Sequence, residues 1–139
     1  KITVNIYKSK IDKKNIDQIA KNYPIICDGT DNFKTRYLIN DYCIKNKKIL
    51  ISAAINKFDG QLFNFDFRNK SACFRCFMPH VPTEEVNCQT DGIMTTLAGM
   101  AGSLQANEVI KSILNIKNNK NENIMIFNGK RKLFMELKC

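Results

Sequence analysis

Ile25-Ile26-Cys27-Asp28-Gly29-Thr30-Asp31-Asn32-Phe33 is the stretch that decides the fold. The short apolar run 25–27 suits a strand buried in a parallel sheet. Residues 28–31 supply turn and cap chemistry. A helix is expected over about 32–47, where Phe33, Tyr37, Leu38, Asp41 and Ile44 fall near helical spacing. Ligands of open α/β sheets bind beyond the carboxyl ends of the strands, at helix N-termini. A carboxylate placed there beside a phosphate serves to hold a cation, since the two anions otherwise repel. The bland alternative is that Asp31 is only the helix cap, with Asp28 and Gly29 shaping the turn.

Upstream, residues 2–7 alternate and are rich in Ile and Val, as a strand is, and 15–22 form a short amphipathic helix that Asn15 can cap. Tyr23-Pro24 ends that helix, because the residue before proline is driven from the helical region. Downstream, 49–54 is the next strand. Residues 61–67 alternate strictly, which predicts a half-exposed antiparallel strand after a turn at Asp59-Gly60. Phe63, Phe65 and Phe67 then share one face, read first as sheet core and second as a docking surface. Residues 69–90 read as a long loop or crossover. A helix is expected over 91–116, its small residues Ala98, Gly99, Ala101, Gly102 and Ser103 permitting close helix packing. Residues 124–127 and 133–137 make a hairpin around Asn128-Gly129. The sum is one α/β domain with a mixed sheet.

Composition sets the outer bounds. The 139 residues, 16.0 kDa in mass, suit one domain or a piece of a larger one. A net charge of +9 invites a nucleic-acid partner, but Lys, Asn and Ile together fill 53 of the 139 positions, the mark of A/T-rich coding. The lysines are also scattered, so no nucleic-acid partner is expected. No run approaches the roughly 20 apolar residues of a membrane span, and the first residues lack a signal core and an initiator Met. A soluble chain that starts in mid-protein is expected. Of six cysteines only Cys73 and Cys76 are closely spaced, which suggests no disulfide framework and a reducing compartment. Cytoplasm fits, or a plastid stroma if the coding bias reflects a plastid genome. Cys27 and Cys43 lie in apolar segments, where free Cys behaves as a small hydrophobe.

Several motifs occur in one order. After Cys27-Asp28-Gly29-Thr30-Asp31-Asn32-Phe33 come Arg36-Tyr37-Leu38-Ile39-Asn40-Asp41, Ser52-Ala53-Ala54, Asp59-Gly60-Gln61, Cys73-Phe74-Arg75-Cys76 and Gly102-Ser103-Leu104-Gln105-Ala106. In register they resemble the ubiquitin-activating-enzyme-like adenylyltransferases that serve the molybdopterin-synthase and thiamine sulfur carriers. The likeness spans nearly the whole chain and implies a Rossmann-like three-layer fold. It also implies activation of a small ubiquitin-like sulfur carrier ending in Gly-Gly, whose terminal carboxylate attacks the α-phosphorus of Mg-ATP to give an acyl-adenylate and pyrophosphate. Two anions must meet, so a cation and oriented donors have to neutralise them.

By resemblance Asp31 is the Mg2+/ATP carboxylate, Asn32 its neighbour in the nucleotide pocket, and Asp28 a supporting acid. Arg36 leans toward the phosphates, or pairs with Asp41 or a Glu elsewhere. An Asp31 side chain turned from any cavity and bonded only to its own helix start would remove the support for its role. The molybdopterin branch is the first choice and the thiamine branch the second. A degenerate module that docks a ubiquitin-like partner without ATP chemistry is the non-enzyme alternative. A plain NAD-binding domain leaves the Cys pair unexplained. Relatives of this kind also imply a homodimer, with the 99–103 region as a candidate interface.

The sequence departs from that family in one respect. The glycine-rich nucleotide loop, the acidic ribose-binding residue and the triphosphate Arg and Lys are not found among these residues, and no GxGxxG occurs. The chain thus resembles the C-terminal portion of such an enzyme, and by itself is expected to bind ATP poorly. Cys73 and Cys76 have the spacing of half a tetrahedral Zn2+ site. Resemblance supplies the other half as a second Cys pair at the C-terminus, for which Cys139 comes too early. Cys88 precedes the expected helix, where a thiol can be nucleophilic. Resemblance matches it to a crossover-loop cysteine that in some members links covalently to the carrier; the alternative is a loop thiol without a catalytic role. His80, in a Pro-flanked loop, reads as surface.

Overall fold

The computed structural model describes residues 2–80, 92–116 and 122–138. In chain order come α1 (Ile16–Ala20), β1 (Ile25–Asp28), α2 (Phe33–Lys45), β2 (Ile49–Asn56), β3 (Asp59–Asp66), α3 (Phe74–Phe77), α4 (Thr95–Ile113), β4 (Glu122–Asn128) and β5 (Leu133–Lys138). The strands form a five-stranded sheet in the order β1-β2-β3-β4-β5. Only β1 and β2 run parallel, with Ile25 beside Ile49 and Asp28 beside Ser52. The remaining neighbours are antiparallel.

One face of the sheet buries Leu50, Phe63, Phe65 and Phe67 against Tyr37, Ile39 and Cys43 of α2 and Phe74 of α3. The other face packs Ile51, Leu62 and Phe127 against Leu97 and Ala101 of α4. Helices on both faces of a mixed sheet give the three-layer, Rossmann-like α/β architecture expected, with the Phe stripe in the core. The second face of β3 is less open than strict alternation implied, because α4 covers Leu62, which is 4% exposed. Lys48 is buried, and its Nζ donates to the carbonyls of Lys21 (2.9 Å) and Tyr23 (2.7 Å), tying the exit of α1 to the start of β2.

Several local expectations are corrected. Residues 2–7 form no strand: Ile2, Val4 and Ile6 are 89%, 75% and 79% exposed. Alternation gives propensity, but a strand needs a neighbour to pair with. Cys27 is exposed, because β1 pairs on one side only among the described residues. Asn15 precedes α1 without capping it; its Oδ1 accepts from the Asp12 N–H and its Nδ2 donates back to Lys10.

The β2–β3 turn is Lys57-Phe58 instead of Asp59-Gly60, since Asn56 and Asp59 are already partners and Lys57 takes φ 50°. Gly60 lies inside β3, where a Cβ would overlap the Phe127 ring. A helical turn, α3, interrupts the expected 69–90 loop. In α4 nothing lies within 4 Å of a Cβ built on Gly99 or Gly102, so the close packing expected there is not made within the described residues.

Candidate functional site

The turn between β1 and α2 is braced from four directions. Asp28, 1% exposed, accepts from the Thr30 N–H (2.9 Å) and Thr30 hydroxyl (2.7 Å) through Oδ1, and from Ser52 Oγ (2.8 Å) through Oδ2. Parallel pairing makes this possible, because Ser52 is the register partner of Asp28 on β2. Arg36, one turn into α2 and itself buried, donates from NH2 to the Thr30 carbonyl (2.6 Å) and places Nε 3.6 Å from Asp28 Oδ2. Gln105 of α4 donates to the carbonyls of Asp28 and Ile51, both at 2.9 Å, across the carboxyl ends of β1 and β2. Ser52, Thr30 and Gln105 carry no role that the sequence alone signals. The register of two parallel strands is the signal that would have joined Ser52 to Asp28.

Asn32 is the residue that caps α2, its Oδ1 accepting from the Thr35 N–H at 2.9 Å. Asp31 is therefore not the cap. It is exposed, and its one hydrogen bond among those described is from Asn32 Nδ2 at 3.3 Å, within its own helix start. The chain thus builds a fixed socket around Asp28 and leaves Asp31 outward on its lip. Arg36 turns to Asp28 and Thr30, so it does not take Asp41 as a partner.

A second constellation surrounds the cysteine pair. Cys73 and Cys76 bring their sulfurs to 3.5 Å, near the roughly 3.8 Å separating two thiolates on a tetrahedral zinc with Zn–S bonds of about 2.3 Å. Burial raises the Cys73 thiol above its usual range, against the N–H groups of Arg75 and Cys76 directed at its sulfur. Helix α2 clamps this turn. Asn40 Oδ1 accepts the Phe74 N–H (3.0 Å), Tyr37 donates to the Met78 carbonyl (2.7 Å), and Asp41 takes Arg75 in a bidentate pair (2.8 and 2.7 Å). Arg75 also lies 4.6 Å from the Tyr37 ring centroid, and the Phe74 ring meets Tyr37 edge-on at 5.2 Å. The two thiols suit two corners of a zinc site, and no group of three or more potential metal ligands occurs among the described residues. Cys88 and Cys139 lie outside the described residues.

Two other features belong to neither constellation. A cavity of about 280 Å³, lined by Tyr7, Ile11, Ile19, Cys27 and Tyr42 among others, opens beside α1 and β1. His80 is exposed. Among the described residues no helix is long and apolar enough to cross a membrane.

The model of the ThiF family matches residues 1–139. "Adenylyltransferase and sulfurtransferase MOCS3" of Dictyostelium discoideum is 36% identical over 136 residues, covering 96% of this chain and 32% of that protein. The "Probable molybdopterin-synthase adenylyltransferase" of Porphyra purpurea is 39% identical over 117 residues, 82% of this chain and 30% of that one. The chain therefore spans about a third of the length of the curated relatives it matches. Among solved structures, "Crystal structure of E. coli MccB + ATP" superposes with TM-score 0.74 at 13% identity over 95% of this chain and 42% of that chain, a likeness of fold.

Proposed function

The chain belongs to the ThiF family, and from that premise we propose that it is part of an adenylyltransferase that activates the C-terminal glycine of a ubiquitin-like sulfur carrier in molybdopterin biosynthesis. The observation that carries this reading is the braced turn at the carboxyl ends of β1 and β2, the end of an α/β sheet at which ligands bind. The names of the matched relatives support the molybdopterin branch over the thiamine branch. The aligned third falls in the N-terminal part of those longer proteins. That placement corrects the expectation that the chain is the C-terminal portion of such an enzyme.

The residues divide the work as follows. Asp28 is internal: held by three hydrogen bonds from Thr30 and Ser52, with the Arg36 charge 3.6 Å away, it shapes the turn and leaves ligand contact to its neighbours. Asp31 meets the condition that removes structural support for its role, being exposed, absent from the lining of the cavity beside α1 and β1, and bonded only at its own helix start. It stands as the candidate to hold Mg2+ on ATP on the resemblance alone, and Asn32 fixes the helix start behind it. Bound Mg2+ supplies charge neutralisation between the phosphates and the incoming glycine carboxylate. Cys73 and Cys76 would supply two ligands of a structural Zn2+ completed elsewhere in the protein. Cys88 is retained as the candidate for a covalent link to the carrier. A homodimer, and a cytoplasmic or plastid-stromal setting, belong to the same proposal.

The test is carrier-stimulated ATP–pyrophosphate exchange by the full-length protein, expected to fall at least about a hundredfold in Asp31→Ala. One observation favours a second reading: the only described hydrogen bond of Asp31 is to its own helix start. Exchange unchanged by the substitution removes Asp31 from the chemistry. No exchange in the wild type, with carrier binding retained, leaves a docking module without ATP chemistry.

A further inference from the structure

We propose that Arg36 is a positioning residue that sets the Thr30–Asp31 peptide, so that the Asp31 N–H and carboxylate are offered to the nucleotide together; this rests on the reading of Asp31 given above. Arg36 is 7% exposed, and its guanidinium lies 5.9 Å and 5.6 Å from the ring centroids of Phe33 and Phe74. Its Nε has no hydrogen-bond acceptor among the described residues, because Asp28 Oδ2 at 3.6 Å is beyond hydrogen-bond range. The short bond in this arrangement is the one from NH2 to the Thr30 carbonyl, 2.6 Å.

A buried ion pair is a poor source of stability, and an apolar residue of similar volume often does as well or better. What a guanidinium adds is direction. In a planar trans peptide the carbonyl and the following N–H point opposite ways. The Thr30 carbonyl is drawn inward to Arg36, so the Asp31 N–H turns outward, at the amino end of a helix of 13 residues. Asp28 holds the preceding N–H, that of Thr30, inward at 2.9 Å. The two contacts fix the peptides on either side of Thr30, and Asp31 inherits its orientation from them.

The experiment measures KM for MgATP and for the carrier, by pyrophosphate exchange in the full-length protein, with melting temperature alongside. Arg36→Lys and Arg36→Gln are compared with Asp31→Ala and with the double variants. Expected is a rise of about tenfold in the MgATP KM in a folded Arg36 variant, with the carrier KM within about twofold, and a smaller further rise in the Asp31→Ala background, where only the N–H is left to orient. An unchanged MgATP KM overturns the proposal. So does a joint loss of both KM values with the melting temperature, or failure of both Arg36 variants to fold, since the role is then structural. If Asp31→Ala is silent, the nucleotide reading itself has failed. If Asp31→Ala is damaging and Arg36→Lys silent, only the role of Arg36 has.

Discussion

The side-chain oxygen of Asn40, wholly buried on α2, accepts the backbone N–H of Phe74 at 3.0 Å and so fixes the start of the turn that carries Cys73 and Cys76. Replacing Asn40 by Leu leaves that buried N–H without a partner. A loss of about 1–3 kcal/mol is expected, read as a lower denaturant midpoint at unchanged slope. Asn40→Asp, which keeps an acceptor, should lose less at a pH low enough to keep the new carboxyl neutral, since its charge would lie buried beside Asp41. Equal losses in the two variants would show that the bond is not what matters.

Asp41 and Arg75 add a pH-dependent contribution to the same clamp. The Arg75 hydrogen bond holds the Asp41 carboxyl below its ordinary 3.8. A depressed folded-state pKa stabilises above the ordinary value and is lost as pH falls through the folded one. Asp41→Asn should therefore cost stability at neutral pH, and the gap to wild type should close as pH drops below 3.8. Asp66, lowered by its hydrogen bond to Arg68, follows the same sign and serves as an internal comparison. A gap that persists unchanged to the lowest pH would mean the pair contributes nothing electrostatic.

Gly60 is required by packing. The Phe127 ring is fully buried and lies where a Gly60 Cβ would stand. Gly60→Ala should destabilise by about 1–3 kcal/mol through overpacking, and Phe127→Leu in the same chain should recover part of that loss. Full additivity of the two substitutions in unfolding experiments would contradict the contact.

The cysteines should separate by chemistry. Cys43 is fully buried and its thiol is pushed up to about 12 by burial, so it should resist maleimide until the protein unfolds. In full-length protein, Cys73→Ser should lose bound zinc. Because the ligating thiols must shed protons, zinc affinity should weaken as pH falls. Zinc content by mass spectrometry, with and without chelator, checks both statements; zinc retained in Cys73→Ser would exclude that sulfur as a ligand.

Much of the fold is legible locally. The run 25–33 gives strand, turn and helix in place, because an apolar run, an Asp-Gly turn and an Asn cap act over neighbouring residues. What eludes the sequence is what depends on distant partners. Residues 2–7 carry strand propensity without a neighbouring strand among the described residues, and Gly60 imitates a turn signal although a ring contributed by β4 dictates it. At the candidate site Asp28 and Asp31 are conspicuous in sequence, but their order of importance reverses in space: the socket forms around Asp28, and Asp31 stands outside it. Arg75 as the partner of Asp41, 34 residues apart, and Gln105 as the bridge between strands have no local signature.

Gln105 also bears on the order in which the molecule assembles. It reaches Asp28 across 77 residues of chain, whereas β2 and β3 close through two residues, Lys57 and Phe58. Closing short loops precedes closing long ones, for reasons of chain entropy. The hairpin can therefore zip early, while the strand ends beside Asp28 stay open until α4 has docked. The strand ends that Gln105 bridges are then among the last parts of the sheet to mature.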